Sequence, residues 1–262
     1  MNENEESKLL RLFKKFDKHN TMPNLPTSLS IVFFLIGFLG LDLISVIISF
    51  LFGDFMLNSL GPASAEGVLL FLVYLLLFVL MIILIFVNKP AITWIKGLLK
   101  DKSTFIEGVN IGILTLCCSL IYSYIATLIA PHTSNNNQEG LEVSFQAQPF
   151  LTFFCIVIFA PVCEELAYRF GLFGSIAKYS NTLAYVVTII VFAFLHFDFT
   201  AQGDDLINEF INIPAYLIGA FFLSYAYQRK GNILTSITAH SVYNGIQYVM
   251  MFFSTFIFSS LS

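Results

Sequence analysis

Ala160-Pro-Val-Cys-Glu-Glu-Leu-Ala-Tyr-Arg169 places two adjacent carboxylates and a guanidinium inside a long apolar segment. Ionisable groups at membrane depth are costly unless paired, so an intramembrane carboxylate is read first as a functional site. On a helix Glu164 and Glu165 point about 100° apart. Tyr168 follows Glu164 by four residues and Arg169 follows Glu165 by four, so each glutamate gains a polar neighbour one turn on. For Glu165 and Arg169 the spacing suits a fold-holding salt bridge as well as a functional pair. Glu164, whose local partner is a tyrosine, points to chemistry.

The surroundings of this stretch define the class of protein. The chain has 262 residues, 57% hydrophobic and 11% charged, with a mean hydropathy of +0.80. Soluble domains carry about a quarter charged residues, so this is an all-α, multi-span membrane protein. Apolar segments predict about seven spans: 30–52, 68–87, 105–130, one from Pro149 through the opening motif, 183–199, 210–227 and 233–258. The implied organisation is a segment over 1–29, spans one to three over 30–148, and a catalytic region over 149–262. Within the first segment Leu9, Leu10, Leu12, Phe13 and Phe16 form a stripe opposite Arg11, Lys14, Lys15 and Lys18. That pattern predicts a short basic amphipathic helix on an anionic membrane surface. No short apolar core with a small-residue cleavage site marks a signal peptide. Nucleic acid is excluded as a partner by the lack of a basic patch or motif. The lipid bilayer is the expected surrounding. Cys117, Cys118, Cys155 and Cys163 all fall in apolar segments, so no disulfide framework is expected.

Orientation follows from the 13 Lys and Arg residues. Five precede span one, four follow span two, and Arg169, Lys178, Arg229 and Lys230 complete the set, whereas the loops after spans one, three and five have none. Positive residues stay inside, so a multi-pass protein of the cell membrane with a cytoplasmic N-terminus is expected. With seven spans the C-terminus lies outside.

Three more polar groups sit in apolar surroundings: His196, His240 and Asn244. His240 and Asn244 are four apart and share a helix face. Buried polar groups need partners, and these can satisfy one another across helices. If span four turns near Ser180, Glu164 lies 16 residues before the turn and His196 16 after it, both at a depth of about 24 Å. His240 follows Gly231 by nine residues, a depth of only about 14 Å. The mismatch of about 10 Å requires tilt, a deeper turn or a displaced helix start. Chemically, a carboxylate and a histidine can activate water, while a second histidine and an amide can donate to an oxyanion. These are parts for amide hydrolysis without a covalent intermediate.

Three motifs carry a family resemblance. They are Glu164-Glu165-Leu-Ala-Tyr-Arg169, Phe192-Ala-Phe-Leu-His196 and His240-Ser-Val-Tyr-Asn244. Over about residues 150–247 the chain resembles the CAAX protease and bacteriocin-processing intramembrane proteases, the CPBP or Abi family. The resemblance implies a bacterial, metal-independent glutamic endopeptidase without cofactor. It would act on small membrane-associated or secreted peptide precursors, such as bacteriocin or signalling-peptide precursors. By resemblance Glu164 and His196 activate the water, His240 and Asn244 form the oxyanion site, and Glu165 and Arg169 orient it. The site is expected within the bilayer, more accessible from the cytoplasmic face. Residues before 150 carry no matching motif.

Three alternatives stand beside this reading. Glu164, His196 and His240 could ligate zinc in a membrane metalloprotease, although no His-Glu-x-x-His motif is present. Cys163 could be a nucleophile, but it points about 100° away from Glu164 on a helix, and a thiol in an apolar span is usually inert. The same polar groups could also hold a non-catalytic scaffold or a bacteriocin self-immunity protein of the same fold.

Overall fold

The computed structural model describes residues 26–257, and within them every regular element is helical. The amphipathic segment over 9–18 lies outside the described residues. Helix α1 is Thr27–Leu60, α2 Pro62–Val87, α3 Lys89–Leu98, α4 Ser103–Ile129 and α5 Asn136–Ala147. A continuous run, α6, spans Pro149–Ile176. It is followed by α7 (Asn181–Phe194), α8 (Asp204–Lys230) and α9 (Ile233–Phe252), the last extended by a π-wound turn, Phe253–Ile257. Helices α1, α2, α4, α6 and α8 are long and apolar enough to cross a membrane. The other two expected spans are α7, apolar but only 14 residues long, and α9, whose polar face dilutes its hydropathy. The protein is thus a helical, multi-pass membrane protein.

Element boundaries depart from the sequence reading where polarity hides helicity. The expected loop over 53–67 is largely helical, because α1 runs to Leu60 and Pro62 starts α2 at once. Gly61 makes the break at φ 77°, in the left-handed region that glycine tolerates. The polar stretch after span three folds into α5, capped by the Asn135 side chain on the Gln138 amide. The expected loop after span five supplies the first turn of α8, where Asp204 and Asp205 complement the helix dipole. The basic loop after span two holds α3, whose Trp94 stacks on Phe170 at 4.9 Å.

Helix α6 is the axis of the bundle. Its opposite faces meet α1 and α7, and its buried residues Leu166, Ala167, Phe170 and Phe173 join Phe33, Leu77, Met81, Tyr227 and Ile233 in the main core. Close approach depends on small residues, the usual device of membrane helices. A Cβ on Gly37 of α1 would stand 2.2 Å from the Ala167 Cβ. One on Gly112 of α4 would stand 2.6 Å from the Ala239 carbonyl oxygen on α9.

Two stretches of α6, Phe154–Phe159 and Glu165–Phe173, are π-wound. Such widenings are uncommon and frequent at functional sites. The first lies just before Pro161, which has no amide hydrogen. Ala160 donates to Cys155, five residues back. The Ile156 carbonyl would find its matching donor at position 161, a proline, and is left for a side chain.

Candidate active site

The residues singled out in the sequence converge on one cavity. It has a volume of about 620 Å³, and Glu164 of α6, His196 beyond α7, and His240 and Asn244 of α9 all line it. The turn between α6 and α7 falls where the depth argument places it, with Ser180 capping α7 through its hydroxyl. His196 is not inside the helix, as expected, but in the turn just past its end.

The expected depth mismatch at His240 is absorbed by the fold. Asn232 and Ile233, at the start of α9, are buried, and Asn232 donates to Thr104 of α4 at 2.8 Å. The turn before α9 is therefore set into the protein. The π-wound part of α6 also rises less per residue than an α-helix, which brings Glu164 nearer to the turn.

Glu165 is the hub beneath the cavity. It is fully buried, as is Arg169, and the two form an ion pair at 3.0 Å. Its carboxylate also accepts from His240 Nδ1 at 2.8 Å and from the Ser236 hydroxyl. Arg169 donates further to the Ala220 carbonyl and lies over the Phe192 ring at 4.1 Å. With Nδ1–H directed at Glu165, the His240 Nε2 faces Glu164, 3.9 Å from Oε2.

Glu164 does not pair with Tyr168, the neighbour suggested by spacing. The Tyr168 ring instead packs edge-on against Phe34 and Phe192. The Tyr74 hydroxyl on α2 donates to Glu164 Oε1 at 3.1 Å. A lone tyrosine within Val73-Tyr74-Leu75 is the sole sequence signal for this partner. At His196, Nδ1 lies 3.1 Å from the Phe192 carbonyl. A carbonyl only accepts, so Nδ1 carries the hydrogen and Nε2 keeps its lone pair. The ring stacks on Tyr216 at 4.5 Å, and Tyr216 donates to Asn135 Oδ1 at 3.2 Å. Asn244 donates to the Ile156 carbonyl freed by the π-turn, at 2.7 Å, which leaves its second amide hydrogen for a ligand.

The cavity does not open at the lysine-bearing end of the bundle. That end is filled by the aromatic core around Phe170, Phe173, Tyr227 and Trp94. The cavity reaches instead to Asn135, Asn137, Gln138 and Glu142, on the opposite side. Among the described residues no group of three His, Cys, Asp or Glu side chains is placed to hold a metal ion. Cys163 is buried and does not line the cavity.

Fold and site together define a multi-pass helical membrane protein with carboxylates, imidazoles and an amide gathered around one cavity. Residues 146–246 match the model of the Rce1-like family, described as type II CAAX prenyl endopeptidase Rce1-like. All three sequence motifs fall within it. An uncharacterized protein of Mycoplasma capricolum subsp. capricolum is 33% identical over 146 residues, covering 52% of this chain and 40% of that protein. The UPF0177 protein YxdF of Lactococcus lactis subsp. lactis is 25% identical over 168 residues, 63% of this chain and 88% of the relative. A UPF0177 protein in the abiGi 5′ region of Lactococcus lactis subsp. cremoris is 27% identical over 137 residues, 51% of this chain and 54% of the relative. No solved structure matches the chain.

Proposed function

We propose that the protein is an intramembrane glutamic endopeptidase of the cell membrane, with its N-terminus in the cytoplasm. The observation that carries this reading is the convergence of Glu164, His196, His240 and Asn244 on one cavity. Glu164 takes a proton from water held between it and the His196 Nε2, and the hydroxide oxygen bonds to the scissile carbonyl carbon. Tyr74 fixes the carboxylate through Oε1, which leaves Oε2 for the water. The oxyanion is met by Asn244 and by His240 as an imidazolium, since the Nδ1 hydrogen is already given to Glu165. Collapse breaks the C–N bond, and the leaving nitrogen takes the proton from Glu164. Glu165 and Arg169 orient His240 without touching substrate. Substrates on this reading are small membrane-associated or secreted peptide precursors.

The test is Glu164→Gln in purified, bilayer-reconstituted protein. It should fold and express normally yet release no peptide from a precursor that the wild type cuts. A Glu164→Gln protein that cleaves at the wild-type rate refutes the proposal. The rival of a non-catalytic scaffold would leave the phenotype of that variant unchanged.

A further inference from the structure

We infer that the cavity takes an extended polypeptide segment from the extracytoplasmic face. The inference rests on the peptidase reading and deepens it by fixing where the substrate lies. Three observations converge. First, the mouth is built by the segment between α4 and α5, held against α8. Asn212 on α8 donates to the Ser134 carbonyl at 2.7 Å, Asn208 to the Ser134 hydroxyl at 2.9 Å, and Tyr216 to Asn135. The rim is therefore tied to the same helix that stacks on the site histidine.

Second, the other route is closed. Between Glu165 and the lysine-bearing turns lie Phe170, Phe173, Tyr227 and Ile233, all buried, with Trp94 stacked beneath. Every described Lys or Arg other than buried Arg169 belongs to the plugged end, in the segment from Lys89 to Lys102, at Lys178, or at Arg229 and Lys230. Lysines and arginines mark the cytoplasmic side, so the mouth faces outward.

Third, the lining chemistry suits a peptide main chain. Asn135, Asn137, Gln138 and Gln247 carry amides that both donate and accept, as a peptide unit does. The described lining has no Lys or Arg, while Glu142 and Glu164 contribute carboxylates. Beyond the site histidines and Asn244, which the proposed reaction occupies, the lining offers no cation for a terminal carboxylate or a phosphate. The site is thus suited to an internal segment of a secreted or surface-exposed chain, rather than to a cytosolic C-terminus.

Single cysteines test the route in cells, in a background with Cys117 and Cys118 changed to serine. Gly140→Cys and Gly97→Cys introduce side chains at positions where an added Cβ meets no neighbour within 4 Å, on the mouth side and the lysine side. Ala215→Cys lies in the cavity wall. With a bulky membrane-impermeant maleimide and intact cells, Gly140→Cys and Ala215→Cys should label. Gly97→Cys should label only after permeabilisation. Blocking Ala215→Cys from outside should then abolish precursor processing. The inference is overturned if Gly97→Cys labels in intact cells, or if Ala215→Cys labels only once the cytoplasm is opened. Labelling needs no turnover, so an outward Ala215→Cys whose blockage leaves the peptide pattern unchanged supports the route while it refutes the peptidase reading.

Discussion

Removing the Arg169 guanidinium should destabilise the protein more than any other single change near the site. Glu165 and Arg169 are both fully buried, and the pair is closed at 3.0 Å. Arg169→Met keeps much of the volume but takes the guanidinium away from the Glu165 carboxylate. Breaking a buried pair in this way costs about 3–5 kcal/mol. Two hydrogen bonds to Glu165 remain, from His240 and Ser236, and they offset part of the loss. The double variant Glu165→Gln/Arg169→Met removes both charges and keeps an acceptor for His240. It should recover all but about 1–2 kcal/mol, the scale of the lost hydrogen bond to Ala220. It should nevertheless stay far less active than the wild type, because a neutral amide holds the His240 ring less firmly than the carboxylate does. Unfolding in detergent micelles by urea, followed by tryptophan emission, reads the stability. Trp94 is the sole tryptophan and stacks on Phe170, one residue from Arg169. An Arg169→Met protein as stable as the wild type would refute the buried-charge argument.

Asn244→Ala should lower kcat about 10²- to 10³-fold as an oxyanion donor, measured as peptide release at saturating precursor. Tyr74→Phe removes one hydrogen bond to the Glu164 carboxylate. Bonds to charged groups are worth about 1.5–3 kcal/mol, so a roughly 10- to 100-fold drop in kcat/KM with normal expression is expected. Gly112→Val should push α9 from α4 and displace His240, because its Cβ would meet the Ala239 carbonyl. A loss of about 1–3 kcal/mol should appear in the same unfolding assay. Asp198 lies in the exposed turn between α7 and α8, where hydrogen bonds from Thr200 hold its carboxyl below the usual value of 3.8. Its contribution is present above that value and is lost as pH falls through the lowered one. Protection of the Thr200 and Ala201 amides, taken relative to their intrinsic exchange rates, should therefore hold at neutral pH and be lost only in acid, and pH-independent protection would contradict this.

Much of the site is readable without coordinates because helices impose simple geometry. The four-residue steps Glu165–Arg169 and His240–Asn244 place partners on common faces, and the first pair closes as spacing suggests. The equal distances of Glu164 and His196 from Ser180 bring the two to one level across an antiparallel turn. Other features are hidden for physical reasons. Tyr74 sits 90 residues before its partner, and a tyrosine in an apolar run has no periodic signature. The π-winding of α6 shifts which residues stack, so Tyr168 does not meet Glu164. Pro161 was the available clue, since it leaves the Ile156 carbonyl for Asn244. The buried start of α9 was hidden because Arg229-Lys230-Gly231-Asn232 reads as an ordinary surface turn. The end of the bundle at which the cavity opens was hidden for a related reason. Basic residues set orientation across the membrane, but side-chain packing decides which end of a bundle is plugged.

The most direct measurement of the central claim compares the peptides of cells carrying the wild-type chain, Glu164→Ala or a deletion. Secreted peptides and membrane-retained precursors are quantified together, with the level of the Glu164→Ala protein checked in membranes. If Glu164 is the catalytic base, the variant and the deletion accumulate the same uncut precursor, and the wild type alone releases its product. A deletion whose effect is absent from Glu164→Ala cells would contradict the account and make the Glu164 carboxylate a structural group.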